Sequence, residues 1–572
     1  MTNESTERTL PRLLTRSADL NPDRESLSFY DGAKLSYRQL KDSIDHIAAF
    51  LAERGIVHGD RVAILSENSP HWGIAYFAVV SIGAIAVPVL ADFHPTEVHH
   101  VLRHSEAKAV FVSDRYYAKI EDTHFDHLKL RILIDDFSII DPHTSKSGLK
   151  KLLADGEQEL KRIKILALKW AGRIPTRVRE EDAAAIIYTS GTMGHTKGVL
   201  LTHRNLVSNA LATGELAALD CRDRLLSLLP LAHVYECTLG LITPLLMGAS
   251  VAYVHKPPTA AVLLPALAAV RPTIVLAVPL LIEKMVRSKV WPEIRSKKIL
   301  NLACKVPTLR KKVNRIAGKR LLETFGGSLR LLCIGGAGLA PDVEAFLREA
   351  GFPYSIGYGL TETSPLVAGT NAAETRFRST GKALRGIEIR IDGPDPKTGE
   401  GEILVRGDSV MKGYYRDPER TAEILSEDGW LRTGDLGCFD ADAFLYIKGR
   451  LKNVILGPSG ENIYPEVIES VINRSEEVLE SLVFETSGRL AAKIHLDYDR
   501  LGAYAAEKKL DEAQVREHIG RVLEEIKHRV NESVASFSRL SRVIEQHDPF
   551  EKTPTQKIKR FLYIEAAPAD SV

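Results

Sequence analysis

The chain has 572 residues, 44% of them apolar and 26% charged, and 76 basic against 74 acidic side chains leave a net charge of +2. That length calls for about three to four core-sized units, and the balanced charge says nothing about nucleic acid, so any basic surface must be local; no nucleic-acid partner is expected. The five cysteines (Cys221, Cys237, Cys304, Cys333 and Cys438) are scattered with no C-x-x-C pair, which argues against a zinc or disulfide framework and fits a reducing, cytoplasmic setting.

The first residues, MTNESTERTLPRLL, lack the apolar core of a secretory signal. From Leu35 the sequence predicts an amphipathic helix carrying Leu40, Ile44, Ile47, Ala48 and Leu51, ended by Gly55 and Gly59 and followed by the strand RVAIL. Pro70 opens another helix, and GAIAVPV and AVFVS read as further short strands. Such alternation predicts a parallel sheet flanked by helices. A charge-rich stretch over 144–181 reads as a linker or variable insert. The run AAAIIY then predicts a buried strand of a parallel sheet. It breaks into a loop containing Thr189, Ser190, Gly191, Thr192, Gly194, Thr196 and Lys197. Glycines let backbone N–H groups turn toward an anion, hydroxyls add donors and lysine adds charge, so the loop suits a polyphosphate. It is not the G-x-x-x-x-G-K-[ST] loop, which needs glycine in place of Thr196 and a hydroxyl in place of Gly198.

A second alternation follows, with strands expected near 225–229, 250–254, 273–278, 329–334 and 354–358. The apolar stretches 225–254 and 260–282 are broken by Pro230, His233, Glu236 and Pro244, and by Pro265, Arg271, Pro272 and Pro279. They are therefore expected as buried elements rather than membrane spans, which want about twenty uninterrupted apolar residues. Residues 284–320 are strongly basic, with Glu293 the single acid and Ile299, Leu302, Leu309 and Ile316 interleaved. This insert reads either as a solvated helical hairpin or as a surface that docks on anionic lipid headgroups, CoA phosphates or an acidic carrier protein. Beyond Gly381 the pieces IEIRI, GEILVRG and FLYIKGR predict a small antiparallel or barrel-like subdomain. Past Gly449, strands near 481–484 and 491–495 and a charged helix near 511–531 predict a small α+β unit. The expected fold is α/β. A large N-terminal domain, 1–448, holds two parallel-sheet subdomains and a small β-rich subdomain, and residues 449–452 connect it to a small α+β C-terminal domain, 453–572.

The string YTSGTMGHTKG closely resembles the nucleotide-phosphate loop of the adenylate-forming superfamily: acyl- and aryl-CoA synthetases, peptide-synthetase adenylation domains and firefly luciferase. Further strings stand in the family's order: SLLPLAHVYE, CIGGAGLAP, IGYGLTETSP, WLRTGDLG, FLYIKGRLKNVI, GPSGENIYPEVIE and PFEKTPTQKIKR. The resemblance covers about residues 10–563 and leans toward long-chain fatty acid–CoA ligases.

The resemblance implies roles for particular residues. The loop of Thr189–Lys197 holds the β- and γ-phosphates, with Lys197 as a clamp, and His233 lines the carboxylate pocket. Gly336 and Ala337 let backbone approach the adenine ring. Tyr358 and Gly359 offer a stacking face, Thr361 donates to phosphate, and Glu362 holds Mg²⁺, a cation that wants hard oxygen ligands. Asp435 and Arg450 hold the ribose, Lys452 is the hinge about which a mobile C-terminal domain turns, and Gly457, Ser459 and Gly460 face the pantetheine of CoA. Lys557 reaches the acyl carboxylate and α-phosphate. Gln556 precedes it where the commonest version has glycine, and Lys552 and Lys559 stay open as alternative cations.

The implied activity converts a fatty acid, with ATP and Mg²⁺, to acyl-AMP and pyrophosphate, then transfers the acyl group to CoA. The alternative is a fatty acyl-AMP ligase or acyl-carrier-protein synthetase. The implied location is the cytoplasm, with peripheral contact to an anionic membrane through 284–320 left open.

Overall fold

A computed structural model of the chain describes residues 8–121, 123–141, 177–190, 196–256, 259–456, 462–486, 488–553 and 558–564. Helix Pro70–Ser81, PHWGIAYFAVVS, is apolar on every side and buried along nearly its whole length, as an all-round hydrophobic helix must be. Ser69 caps its first turn by accepting from the Trp72 N–H. A Cβ added at Gly73 would come within 2.9 Å of Leu27 and 3.3 Å of Leu241. That close approach packs the helix against elements from both halves of the chain, in one continuous core.

Two large sheets sit around that core. In the first, Ile85–Pro88, Arg61–Leu65, Ala109–Val112 and Leu130–Leu133 are parallel neighbours. Strand Ala183–Ser190 joins Ile85–Pro88 in parallel, as expected, but its other neighbour is antiparallel. Thr196–Thr202 pairs back along it, with Thr196 opposite Ser190, so the described residues on either side of the phosphate loop form the two arms of a β-hairpin. Gly198 makes the pairing close enough, since a Cβ there would lie 2.8 Å from Ile186. Strand Gly413–Tyr414 then adds to the outer edge, with Tyr414 opposite Val199.

The second sheet contains all the strands expected from the second alternation, ordered Tyr354–Ile356, Leu331–Ile334, Ile274–Ala277, Arg224–Leu226 and Ser250–Tyr253. Its far edge comes from the chain's beginning. Glu25–Phe29 runs parallel to Ser250–Tyr253 with Leu27 beside Val251, and Lys34–Ser36 pairs antiparallel to it. The two sheets are thus not built from separate halves of the sequence. Helix Tyr37–Glu53 follows with a capping box between Ser36 and Gln39, and the buried Tyr37 hydroxyl donates to the Ala249 carbonyl at 2.7 Å.

At the N-terminal end of the second sheet, Asp223 ties three strands together. Its carboxylate accepts from the Arg330 guanidinium at 2.8 and 2.7 Å and from the Thr273 hydroxyl at 2.7 Å. These groups immediately precede strands Arg224–Leu226, Ile274–Ala277 and Leu331–Ile334.

The β-rich part is a four-stranded antiparallel sheet, Ile387–Asp392, Gly401–Gly407, Leu431–Phe439 and Leu445–Arg450. Beyond it, Val478–Thr486 and Arg489–Leu496 pair antiparallel, and Arg542–Glu545 adds in parallel. Helix Glu512–Ser533 sets Val522, Ile526 and Val530 into a core shared with Ile468, Ile472 and Ile494. The basic insert is helical: Pro279–Met285, Trp291–Ser296, Lys298–Ala303 and Pro307–Thr324. It buries Ile282, Ile294, Val313 and Leu321 and leaves Leu280, Ile299, Leu302 and Ile316 more than half exposed. Among the described residues, no helix is long and apolar enough to cross a membrane.

Replacing Arg330 with Met leaves the Asp223 carboxylate buried without its guanidinium. Loss of one partner of a buried pair is costly, and the partial exposure of Arg330 reduces the effect to about 2 kcal/mol. Urea unfolding of Arg330→Met should show that loss, and a change below about 0.5 kcal/mol would place the pair among inert surface contacts.

Candidate functional site

Lys197 stands at the returning arm of the hairpin, opposite Thr189, and Thr196 is opposite Ser190. The Thr189 hydroxyl oxygen is enclosed and has no hydrogen-bond partner among the described residues. Gly191, Thr192 and Gly194 lie outside the described residues, and Ser190 is placed by its backbone alone. The Lys197 ammonium donates to Glu362 Oε1 at 2.7 Å and to the Tyr414 hydroxyl, and lies 4.3 Å from the centre of the Tyr414 ring. Tyr414 donates to the same Glu362 oxygen at 2.8 Å. Burial opposes ionisation of Glu362, but the Lys197 charge and the hydrogen bonds from Lys197 and Tyr414 outweigh it and hold the carboxyl below its ordinary range. Tyr414 was not among the expected residues. It belongs to none of the quoted strings and arrives through strand pairing more than two hundred residues downstream.

Glu362 is held by its backbone as firmly as by its side chain. Gly359 permits a tight turn in which an added Cβ would lie only 1.8 Å from the Pro365 carbonyl oxygen. Leu360 N–H and the Thr363 hydroxyl donate to that carbonyl at 3.0 and 2.6 Å. The buried Asn209 amide donates to the Thr363 and Leu366 carbonyls at 3.2 and 2.7 Å. Met411 N–H donates to the Glu362 carbonyl at 2.8 Å. Thr361 is half-buried at the start of this turn.

A second cluster forms four residues before Glu362. The Tyr358 hydroxyl donates to Asp435 Oδ2 at 2.7 Å, and Arg450 Nε donates to Oδ1 at 2.7 Å. Asp435 and Arg450 are cross-strand partners. Asp435 is only 4% exposed and follows Gly434, whose φ of +68° makes the bend that presents it. Burial first, then the Asp435 charge, raises the Tyr358 phenol well above its ordinary pKa. Four separate strings of the sequence thus converge on one place: Lys197 from the hairpin, Tyr358 to Glu362, Asp435 and Arg450.

Gly336 and Ala337 are exposed just past the C-terminal end of strand Leu331–Ile334. Gly336 has φ +87°, and a Cβ there would meet only Val278, at 3.9 Å. Its neighbour Gly335 packs on the Tyr235 ring, whose hydroxyl donates to the Cys333 carbonyl at 3.1 Å. His233 is half-buried, and its Nδ1 accepts from the Tyr235 N–H at 3.2 Å, which orients the imidazole. Lys452 is exposed in the short turn Leu451–Asn453 directly after Arg450. Lys552 is ion-paired with Glu480, and Lys559 lies 3.7 Å from Glu551. Lys557, Gly457, Ser459 and Gly460 lie outside the described residues.

Beneath His233, Glu236 is 1% exposed. Its Oε1 accepts from the Ser227 hydroxyl at 2.6 Å, while Oε2 is enclosed without a partner among the described residues. The Tyr253 and Tyr76 hydroxyls and Trp72 Nε1 are also enclosed, with no hydrogen-bond partner among the described residues. Burial pushes the Glu236 carboxyl up to about 8, against lowering by the Ser227 hydrogen bond. A neutral acid is thus the favoured form at pH 7.

The profile of the AMP-binding enzyme family matches residues 14–415. The chain is 30% identical over 562 residues to the long-chain-fatty-acid–CoA ligase FadD15 of Mycobacterium bovis, covering 91% of this chain and 88% of that one. It is also 30% identical over 485 residues to an indoleacetate–CoA ligase of Aromatoleum aromaticum, covering 83% and 84%. Among solved structures, ATP-bound MatB from Rhodopseudomonas palustris matches with a TM-score of 0.74 at 24% identity, over 97% of this chain and 98% of that one. The O-succinylbenzoate CoA synthetase MenE of Bacillus subtilis, in complex with ATP and magnesium ion, matches at 0.73 and 23% identity, over 96% and 98%. These two likenesses show that the fold is shared.

The raised Glu236 pKa carries a pH signature. The stability that this group contributes as a protonated acid is fully present below its ordinary value of 4.5 and is lost as pH rises to about 8. The slope approaches about 1.4 kcal/mol per pH unit across that window. Glu236→Gln has no proton to lose, so its unfolding free energy relative to wild type should grow between about pH 5 and 8. A difference that stays constant in urea titrations across that range would show the carboxyl to be ionised in the fold.

Proposed function

The chain belongs to the AMP-binding enzyme family, and from that premise we propose that it activates a fatty acid, of long chain, by adenylation and transfers the acyl group to CoA. The observation that carries this reading is the convergence of Lys197, Tyr358, Glu362, Asp435 and Arg450 on one site. The long-chain assignment draws on the likeness to FadD15. The likeness to an indoleacetate ligase makes chain length the point to test.

A carboxylate is a poor acyl donor because its leaving group would be oxide. Attack of the carboxylate on the ATP α-phosphorus expels pyrophosphate and gives acyl-AMP, from which a thiol then displaces AMP. No side-chain nucleophile is needed; the protein must align two anions and offset the charge that builds on phosphorus. Lys197, held beside the hairpin tip by Glu362 and Tyr414, can exchange those partners for the β- and γ-phosphates. Thr189, whose enclosed hydroxyl has no partner among the described residues, adds a donor on the same wall. Asp435, oriented by Tyr358 and Arg450, supplies carboxylate oxygens as acceptors for ribose hydroxyls. His233 borders the carboxylate pocket, and the turn at Gly336 and Ala337 admits the adenine ring.

Glu362 also fits a hard cation. Lys197 and Tyr414 bond to its Oε1, and the carboxylate would hold Mg²⁺, an ion that takes one or two carboxylates together with substrate phosphates and water. When bound with ATP, Mg²⁺ supplies further neutralisation of phosphate charge. Residues 453–572 act as a mobile lid on the domain 1–448, turning at 449–452 about Lys452. In one pose the lid brings in Lys557; in the other it presents Gly457, Ser459 and Gly460 to CoA.

Exchange of labelled pyrophosphate into ATP should require an added carboxylate, and exchange without one would overturn the scheme. Lys557→Ala should slow adenylation by about 10²-fold, with Lys552→Ala and Lys559→Ala near wild type. A wild-type rate for Lys557→Ala would remove that lysine from the mechanism. Ligation with a series of fatty acids from acetate upward, offered CoA or acyl-carrier protein, should give its best product with a long chain and CoA. A product only with carrier protein would establish the alternative acceptor.

The basic insert extends this reading to a surface. Ile299 and Leu302 are 83% and 67% exposed beside Lys297, Lys298 and Lys305, a combination suited to the headgroup region of an anionic bilayer. The protein should co-sediment with phosphatidylglycerol vesicles in a salt-sensitive manner, and Ile299→Glu/Leu302→Glu should weaken that association several-fold. Equal binding by the variant would exclude this face.

A further inference from the structure

Away from the converged site, a cavity of about 690 Å³ opens between helix Leu10–Leu20, helix His203–Leu216 and the turns at 384–387 and 408–409. Arg8, Arg12, Arg16 and Arg385 stand around it. Arg12 and Arg16 are one helical turn apart, so they share a face, and Arg8 precedes them by another four residues. Like charges at that spacing repel and weaken a helix. Arg12 and Arg16 are exposed and have no ion pair among the described residues. Two acids also line the cavity: Glu215, which Arg385 holds at 2.7 Å, and Asp408. Four guanidinium groups against two carboxylates leave the groove net positive.

The groove also has an apolar side and an unsatisfied polar group. Leu13, Leu211 and Leu384 supply the apolar wall. Ser409 lines the cavity, is 2% exposed, and has an enclosed Oγ without a hydrogen-bond partner among the described residues. The volume is that of a small-molecule pocket, and guanidinium forks bond phosphate and carboxylate bidentately, of which a doubly charged phosphate monoester offsets more of the groove's net positive charge.

We propose that this groove is a second ligand site, separate from the nucleotide site, for a phosphate monoester with an apolar body. The phosphate sits against Arg12 and Arg16, and the apolar part lies along Leu13, Leu211 and Leu384. The groove is linked to the converged site through its lining. Asn209, which borders it, holds the Thr363 and Leu366 carbonyls. Asn205 holds the Asp408 and Val410 carbonyls at 2.7 and 2.8 Å, one residue before the Met411 N–H that bonds the Glu362 carbonyl. An occupant is therefore placed to steady the frame of Glu362.

Hydrogen exchange on the full chain, with dodecyl phosphate as probe below its micellar concentration, tests the assignment. Exchange should slow in Leu10–Leu20 and around 384–387, and Arg12→Ala/Arg16→Ala should weaken that protection at least about tenfold. Dodecyl phosphate held in an acyl pocket elsewhere would persist in the variant and so be told apart. Dodecanol should give no protection of this helix, and protection equal to that by dodecyl phosphate would overturn the phosphate assignment. Vesicles containing phosphatidic acid, itself a phosphate monoester, form a separate arm: protection by vesicles but not by the monomer makes a lipid headgroup the source of the phosphate. The variant should melt at the wild-type temperature and keep carboxylate-dependent pyrophosphate exchange when no probe is present. Absence of protection at this helix with both probes, or protection unchanged in the variant, would overturn the proposal. The readout is binding, so it stands or falls independently of whether the chain adenylates fatty acids.

Discussion

One carboxylate oxygen, Glu362 Oε1, accepts from both Lys197 and Tyr414, and much of the surrounding structure serves to bring those three groups together. A cation and an anion that are both largely out of water are tolerable only as partners. The pairing therefore constrains three separate segments at once: the hairpin arm that carries Lys197, the edge strand that carries Tyr414, and the turn that carries Glu362. Gly198 and Gly359 make this possible, because a side chain at either would collide with its neighbour. The same pairing keeps a lysine and a carboxylate poised where an incoming polyphosphate would compete for the lysine.

The second cluster depends on the first through only a few bonds of backbone. Tyr358 and Glu362 share one short turn, so fixing Glu362 also fixes the phenol that donates to Asp435. Arg450 enters through antiparallel pairing with Asp435. The chain leaves the four-stranded sheet at that residue and runs into the exposed turn containing Lys452. Arg450, proposed to hold the ribose, therefore lies two residues from the proposed pivot. In that proposal rotation moves the distal lysine without disturbing Asp435, which is what two successive half-reactions at one site require.

The core holds a different kind of polar feature. Glu236, Tyr253, Tyr76 and Trp72 all keep an enclosed polar atom without a partner among the described residues. Gly240 lies so close to the Glu236 carboxyl that an added Cβ would stand 2.6 Å from it. Desolvation dominates there, so the group is stable chiefly as the neutral acid. The contrast with Glu362 is instructive: both are glutamates largely out of water, and the presence or absence of an adjacent ammonium sets opposite pKa directions.

The amino-acid sequence by itself determined the local elements and the order of the chemistry. The spacing of Leu40, Ile44, Ile47 and Leu51 specified a helix, short apolar runs specified parallel strands, and the strings around Lys197, Glu362, Asp435 and Arg450 marked residues that do meet. These signals are legible because periodicity and turn chemistry act between near neighbours. Only the tertiary structure decided the partners. Glu25–Phe29 and Lys34–Ser36 complete a sheet whose other strands begin beyond residue 220, Thr196–Thr202 returns as a hairpin arm, and Tyr414 and Asn209 support Glu362 from unmarked positions. Pairing between distant segments depends on which edges and cavities remain once the other elements have packed, and no local pattern encodes that.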